Sequence, residues 1–198
     1  MSEVHGEWFA IHTRYQHERS VLSFLEAKGF RTFFPTYKEV RRWGDRKKVI
    51  SLPLFPGYLF ADDARARRIE ILSAPGACAI VSFRGVPAAI PHEEMEALQR
   101  AAACAGNLRP YPYLKNGDIV LVTAGPLAGI YGAIVGEKDD CWLVISIQML
   151  GRSAAVAIDR HYVSPASARA VTSREQEIAS VNSADRESPH HDSWPRFA

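Results

Sequence analysis

Apolar and polar positions follow two different patterns along this chain. Up to about residue 104, apolar runs of strand length alternate with stretches at helical spacing; beyond about residue 113 the apolar runs stay short and the helical period is lost. Trp8-Phe9-Ala10-Ile11-His12-Thr13 predicts a first, largely buried strand. A helix is expected over residues 17–28, with Val21, Phe24, Leu25 and Lys28 on one face and Gly29 as its stop. Residues 30–37 are aromatic and β-branched and predict a second strand, closed off by Pro35. Next comes a hairpin-like excursion, for which Gly44-Asp45 supplies the turn chemistry.

The stretch over residues 47–60 organises the first half. Pro53 and Pro56 bracket Leu54-Phe55, and proline donates no hydrogen bond, so that pair cannot lie inside a central ladder. Gly57 then frees the backbone just before Tyr58-Leu59-Phe60, which reads as a strand with large side chains at its mouth. Two readings stay open: a core strand with an awkward entry, or an aromatic docking surface beside a basic arm.

Further on, Asp62-Asp63 is expected to cap a short helix through Leu72, with Ile69 and Leu72 facing inward, ended by Pro75-Gly76. Residues 79–83 predict another strand and residues 84–87 a turn. Ile90-Pro91-His92-Glu93-Glu94 opens a last helix, whose apolar stripe is Met95, Leu98 and Ala102. Strands separated by helices over residues 7–104 point to an α/β sandwich, an antiparallel sheet flanked by helices. Residues 105–113, with Gly106, Pro110 and Pro112, are expected to be a linker. Over residues 114–165, short strands at 117–122, 131–135, 142–147, 154–158 and 162–163 predict a small five-stranded β-barrel. The fold class is therefore α+β. Residues 166–198 are serine-rich with few large apolar side chains, and a disordered tail is expected there.

Composition narrows the classes of function. A hydrophobic fraction of 47% and a charged fraction of 23% are those of an ordinary soluble protein. No apolar run reaches the ~20 residues of a membrane span, and the first residues lack the pattern of a secretory signal, so no membrane role is expected. Cys78, Cys104 and Cys141 are far apart and form no CxxC pair, which implies neither a disulfide framework nor a zinc site and fits a cytoplasmic setting. The net charge of +2 conceals a local excess: Lys38, Arg41, Arg42, Arg46, Lys47 and Lys48 stand against Glu39 and Asp45. Such a run is a solvated hairpin or a nucleic-acid-facing arm, since phosphate contacts come mainly from Arg and Lys.

Motifs of catalysis do not assemble. The glycine-rich run over 125–132 lacks GxGxxG spacing and the Lys-Ser/Thr of a phosphate loop, and strands rather than a helix follow it. The seven histidines are dispersed, and no GxSxG, HExxH or Cys/His pattern is present. The expectation is a protein that is not an enzyme, with no cofactor, metal or catalytic residue.

Taken together, the motifs resemble the NusG family of bacterial transcription elongation factors. Trp8-Phe9-Ala10-Ile11, Glu18 at the helix start, Phe34-Pro35, Leu54-Phe55-Pro56-Gly57-Tyr58-Leu59-Phe60, Val81-Ser82-Phe83, Pro87 and Ile90-Pro91 are similar, in that order, to the family's N-terminal (NGN) domain. Gly117-Asp118, Val120, Val122, Gly125-Pro126, Gly129, Gly132 and Leu150-Gly151-Arg152 are similar to its KOW module, an SH3-like barrel. Arg42-Trp43-Gly44-Asp45-Arg46-Lys47-Lys48 looks more like the specialised RfaH-like or UpxY-like antiterminators than the housekeeping factor.

What the resemblance implies is a monomeric elongation factor that binds the β′ clamp helices of RNA polymerase and suppresses pausing and termination. The implied polymerase-binding residues are His12, Phe55, Pro56, Gly57, Tyr58 and Phe60; those implied to meet non-template or upstream DNA are Arg14, Arg42, Arg46 and Lys47. Leu127, Ile130 and Leu150 match positions where the housekeeping factor uses phenylalanines against Rho or a small-subunit ribosomal protein; apolar character survives there and aromatic area is lost. A housekeeping factor coupling polymerase to Rho or the ribosome, and a KOW-containing RNA-binding or ribosome-associated protein, are the alternatives.

Overall fold

Strand β1 (Trp8–Thr13) sits at the centre of the first sheet because its side chains are apolar on both faces and all but His12 are buried. The computed structural model describes residues 6–43, 46–104, 108–111, 118–136 and 141–166. The turn at Gly44-Asp45, most of the expected linker and the expected disordered tail fall outside the described residues.

Helix α1 (Glu18–Ala27) follows β1 and buries Val21 and Leu25, as the helical spacing predicts. Strand β2 (Thr32–Phe33) is short, and Thr36–Trp43 (β3) pairs with Arg46–Pro53 (β4) in a two-stranded ribbon separate from the other sheets. Strand β5 (Tyr58–Asp62) returns to lie antiparallel beside β1, with Ala10 opposite Phe60 and His12 opposite Tyr58.

The next helix differs from expectation. Helix α2 is only Arg68–Leu72, and neither aspartate caps it. Asp62 instead pairs with Arg31 at 3.0 Å and accepts the Arg31 backbone N–H at 3.2 Å, so its carboxylate is committed to the sheet edge. In a helix of one turn the inward position falls to Ile71, fully buried, while Ile69 is 85% exposed.

Strand β6 (Ala77–Ile80) pairs with the other edge of β1. The single strand expected over 79–83 breaks at Val81, and Ser82–Phe83 (β7) and Val86–Pro87 (β8) form a small hairpin around Arg84 and Gly85, at φ of +49° and +80°. Strand β9 (Ala89–Ile90) rejoins β1, and all pairings in this sheet are antiparallel. Helix α3 (His92–Ala103) buries Met95 and Leu98 as expected, and also Glu94, Ala97 and Ala101, a second stripe that the pattern did not assign.

The second sheet has six strands in the order β10-β14-β13-β12-β11-β15. These are Arg109–Tyr111 (β10), Asp118–Val122 (β11), Tyr131–Val135 (β12), Trp142–Ile147 (β13), Arg152–Ala157 (β14) and Val163–Pro165 (β15). The extra strand is β10, where Pro110 points to irregular chain. It is an edge strand, the position where a missing N–H is tolerated, and the Arg109 guanidinium lies 3.4 Å from the ring centre of Trp142. The fold is mixed α+β and mostly strand. No helix of the described residues is long and apolar enough to cross a membrane.

The described residues up to Ser164 form one compact unit, and α3 joins its two sheets. Met95 and Leu98 share a buried cluster with Trp8, Phe55 and Phe60, and Ala97 and Ala101 share another with Val122, Leu143 and Val156 of the second sheet.

A candidate docking face and nucleic-acid interface

The turn into β5 is fixed by three backbone constraints. Leu54 donates its N–H to the Pro35 carbonyl at 2.9 Å, and Tyr58 closes the turn onto the Phe55 carbonyl at 3.0 Å. Between them Gly57 sits at φ +81°, a conformation L side chains rarely adopt. Its N–H points at the Glu18 carboxylate, 2.8 Å away, and its carbonyl accepts from Thr13 N–H at 2.8 Å. Glu18 is only 5% exposed, so a carboxylate acceptor from the first turn of α1 pins the glycine turn from beneath.

Tyr58 therefore stands directly across from His12, with ring centres 5.2 Å apart and planes tilted by 43°. His12 and Pro56 are exposed, and Gly57 and Tyr58 are half-buried. Phe55 and Phe60 are buried and meet edge to face, 5.9 Å apart at 90°. The six implied docking residues thus fall on one turn and the facing strand, but only part of that surface is open.

The second sheet covers the rest. Ile147 and Ala154 belong to the same buried cluster as Phe55 and Phe60, with Met149, Leu150 and Tyr58 packed against it. The Arg152 guanidinium lies 5.9 Å from the ring centre of Tyr58. From α3, Arg100 donates to the Pro126 carbonyl at 2.7 Å and the Ala128 carbonyl at 2.8 Å, while Glu94 accepts the Gln148 N–H at 3.2 Å.

The implied partner loop is covered by the same contact. Leu127 and Ile130 are 5% and 6% exposed, in the cluster that contains Ala97 and Ala101 of α3, and Leu150 is half-buried. Neither Leu127 nor Ile130 offers an open surface in this arrangement.

The basic residues are open. Arg42, Arg46 and Lys47 are exposed on the β3–β4 ribbon, and Arg14 is exposed at the end of β1, its N–H donating to the Gly76 carbonyl at 2.8 Å. At the base of the ribbon, burial and the adjacent Glu39 carboxylate raise the Tyr37 phenol above its ordinary range. The supporting roles of these side chains are not marked in the sequence: Glu18 and Glu94 read only as parts of helix starts, Arg152 only as the end of the Leu150-Gly151-Arg152 run, and Arg100 carries no motif.

The family described as "Transcription termination factor nusG" matches residues 6–99, the span that holds this turn and its supports. Residues 6–99 belong to the NusG family. Among characterised proteins, the chain is 25% identical over 174 residues to "Transcription termination/antitermination protein NusG" of Thermus thermophilus, covering 77% of this chain and 95% of that one. It is 27% identical over 182 residues to the protein of the same name from Deinococcus radiodurans, again covering 77% and 95%. Among solved structures, "Domain interaction in Thermotoga maritima NusG" is similar with a TM-score of 0.47 at 22% identity, covering 81% of this chain and 97% of that chain.

Proposed function

We infer that this NusG-family chain is a transcription termination/antitermination factor that binds RNA polymerase at the β′ clamp helices through the face around Tyr58. The observation that carries this reading is the Gly57 turn. A positive-φ glycine is held by the buried Glu18 carboxylate so that Tyr58 stacks beside His12 at the edge of a hydrophobic cluster. That turn falls in the family's most specific motif, and it spends a charged, buried acceptor on presenting one aromatic ring. A strand serving only the core needs neither.

His12, Phe55, Pro56, Gly57, Tyr58 and Phe60 form the polymerase-binding face. Arg14, Arg42, Arg46 and Lys47 meet non-template or upstream DNA, and Leu127, Ile130 and Leu150 meet a second partner such as Rho or a small-subunit ribosomal protein. The basic ribbon favours a specialised antiterminator, acting in the cytoplasm without catalysis. Because the packing of the second sheet against α3 and the first sheet covers both the Tyr58 face and the Leu127 loop, the arrangement described is the closed one, and polymerase binding requires the second sheet to leave α3.

The test is a pull-down of purified RNA polymerase with the wild-type chain and with Tyr58→Ala, followed by single-round elongation across a pause site and a Rho-dependent terminator. Loss of binding in a variant with unchanged circular dichroism is expected, since truncating a central interface aromatic costs roughly 2 kcal/mol or more. Wild type should suppress pausing and read through the terminator. Enhanced termination would make this a housekeeping-type factor, and no polymerase binding with affinity for RNA would favour an RNA-binding or ribosome-associated protein.

A further inference from the structure

We propose that the β3–β4 ribbon is a two-sided cation clamp that enters the major groove of duplex DNA, with one face turned to each strand's phosphates. This rests on the reading above that the basic hairpin meets nucleic acid, and it adds Arg41 and Lys48 together with a mode of binding.

The register decides the geometry. Arg42 pairs with Lys47 and Arg41 with Lys48. Residues directly opposite in an antiparallel pair share a face, and successive residues alternate faces. Arg42 and Lys47 therefore occupy one face and Arg41 and Lys48 the other. Each face carries two cations directly across from one another, an arrangement that destabilises an isolated ribbon. Among the described residues only Arg41 of the four has a carboxylate partner, Glu39 at 3.2 Å, and that pair is largely exposed.

Blunting a free sheet edge against self-association calls for charge, and alternating signs would serve as well without the repulsion. A cross-strand like-charge pair on both faces is a local conflict that a polyanion on both sides relieves. A ribbon eight residues long extends about 26 Å. A two-stranded ribbon also fits the major groove of B-form DNA, whereas the deep, narrow major groove of an RNA duplex excludes it. On the Arg42–Lys47 face, the opposed Val40 and Val49 are 61% and 60% exposed, an apolar pair suited to the sugar edges along the groove wall.

The test is fluorescence anisotropy of the full chain with a 30-base-pair DNA duplex, its single strand and the matching RNA duplex, at salt from about 50 to 200 mM. Expected is preference for the DNA duplex. The pair Arg42→Gln with Lys47→Gln, and separately Arg41→Gln with Lys48→Gln, should each flatten the log-affinity against log-salt slope by about 1.8, and together by about 3.6. A slope change from one face only, equal binding of single strand or RNA duplex, or no slope change overturns the clamp. Lys48→Glu controls for folding: it sets a carboxylate opposite Arg41, so its melting temperature should hold or rise while DNA affinity falls. A lower melting temperature there would make the cation structural and overturn the proposal. Polymerase pull-down with the same variants separates the two readings, because failure of wild type to bind polymerase leaves the DNA result standing.

Discussion

Arg152 of the second sheet places its guanidinium 5.9 Å from the ring centre of Tyr58. One cation from the barrel thus sits over the aromatic ring through which the family motif would reach polymerase. A closed arrangement lowers the apparent affinity for any partner of Tyr58 by the fraction of molecules that are open. Arg152→Ala should therefore raise polymerase binding measured by pull-down, the opposite direction to Tyr58→Ala. Equal loss in both variants would mean that Arg152 contacts polymerase directly and does not shield Tyr58.

Arg100 is the stronger fastening. Its guanidinium bridges the carbonyls of Pro126 and Ala128, which helix α3 would otherwise leave to water. Hydrogen bonds from a charged group contribute about 1.5–3 kcal/mol, and the partial exposure of Arg100 places its share at the lower end. Arg100→Ala is expected to raise the open population roughly five- to thirty-fold. Hydrogen exchange of the Ala128 to Ile130 amides should accelerate, with β1 and β5 unchanged. Unchanged exchange at that loop would show that apolar packing alone holds the barrel.

What could be seen in advance follows from the range of each interaction. The Pro53, Pro56 and Gly57 spacing announced a turn feeding Tyr58 into a strand, because those residues act on their own backbone. Glu18 acts on Gly57 across 39 residues and Arg100 on Ala128 across 28, so no local pattern could pair them. The apolar run around Phe55 and Phe60 showed that a surface must be covered, but not that Ile147 and Ala154 would cover it. Likewise Ala97 and Ala101 are too small to mark a helix face by hydropathy, and they became legible only once α3 lay against Leu127 and Ile130. Where the reading failed outright, at Ile69, the helix was one turn long and too short for periodicity to fix its inward face.

Glu18 supplies a direct test of the Gly57 turn. Glu18→Ala leaves the Gly57 N–H without its acceptor, at an expected cost of about 1–3 kcal/mol. In a unit of this size that lowers the melting temperature by about 2–4 °C for each kcal/mol. Glu18→Gln keeps an oxygen in reach and should recover part of the loss, since a neutral acceptor is weaker than a carboxylate. Identical melting of the alanine variant and wild type would remove Glu18 as the support of the turn.

Two surface carboxylates favour the folded state above the acid range. Asp159 is held below its ordinary value first by the His161 backbone N–H, and Glu70 first by the Arg67 guanidinium. A lowered folded value means a contribution that is complete above the ordinary carboxylate range of about 4 and is lost as pH falls through the lower folded value. Asp159→Asn with Glu70→Gln should therefore show a shallower fall in melting temperature between about pH 5 and pH 2 than wild type. Parallel curves would show that neither group is linked to folding.

Gly132 tests the packing of the barrel itself. A Cβ there would stand 2.7 Å from Leu143 Cδ1 and 2.9 Å from the Val144 carbonyl oxygen. The leucine tip can rotate away, but the carbonyl belongs to the backbone of β13, beside β12 in the sheet, and cannot move without opening the pair. Gly132→Ala is expected to cost about 1–3 kcal/mol by overpacking. Because β13 also carries Ile147 into the cluster with Phe55 and Phe60, the damage should reach the proposed docking face. The variant should melt lower and expose β12–β13 amides to exchange, yet bind polymerase more strongly than wild type at a temperature where it remains folded. Weaker binding under those conditions would mean that the barrel supports the Tyr58 face and does not occlude it.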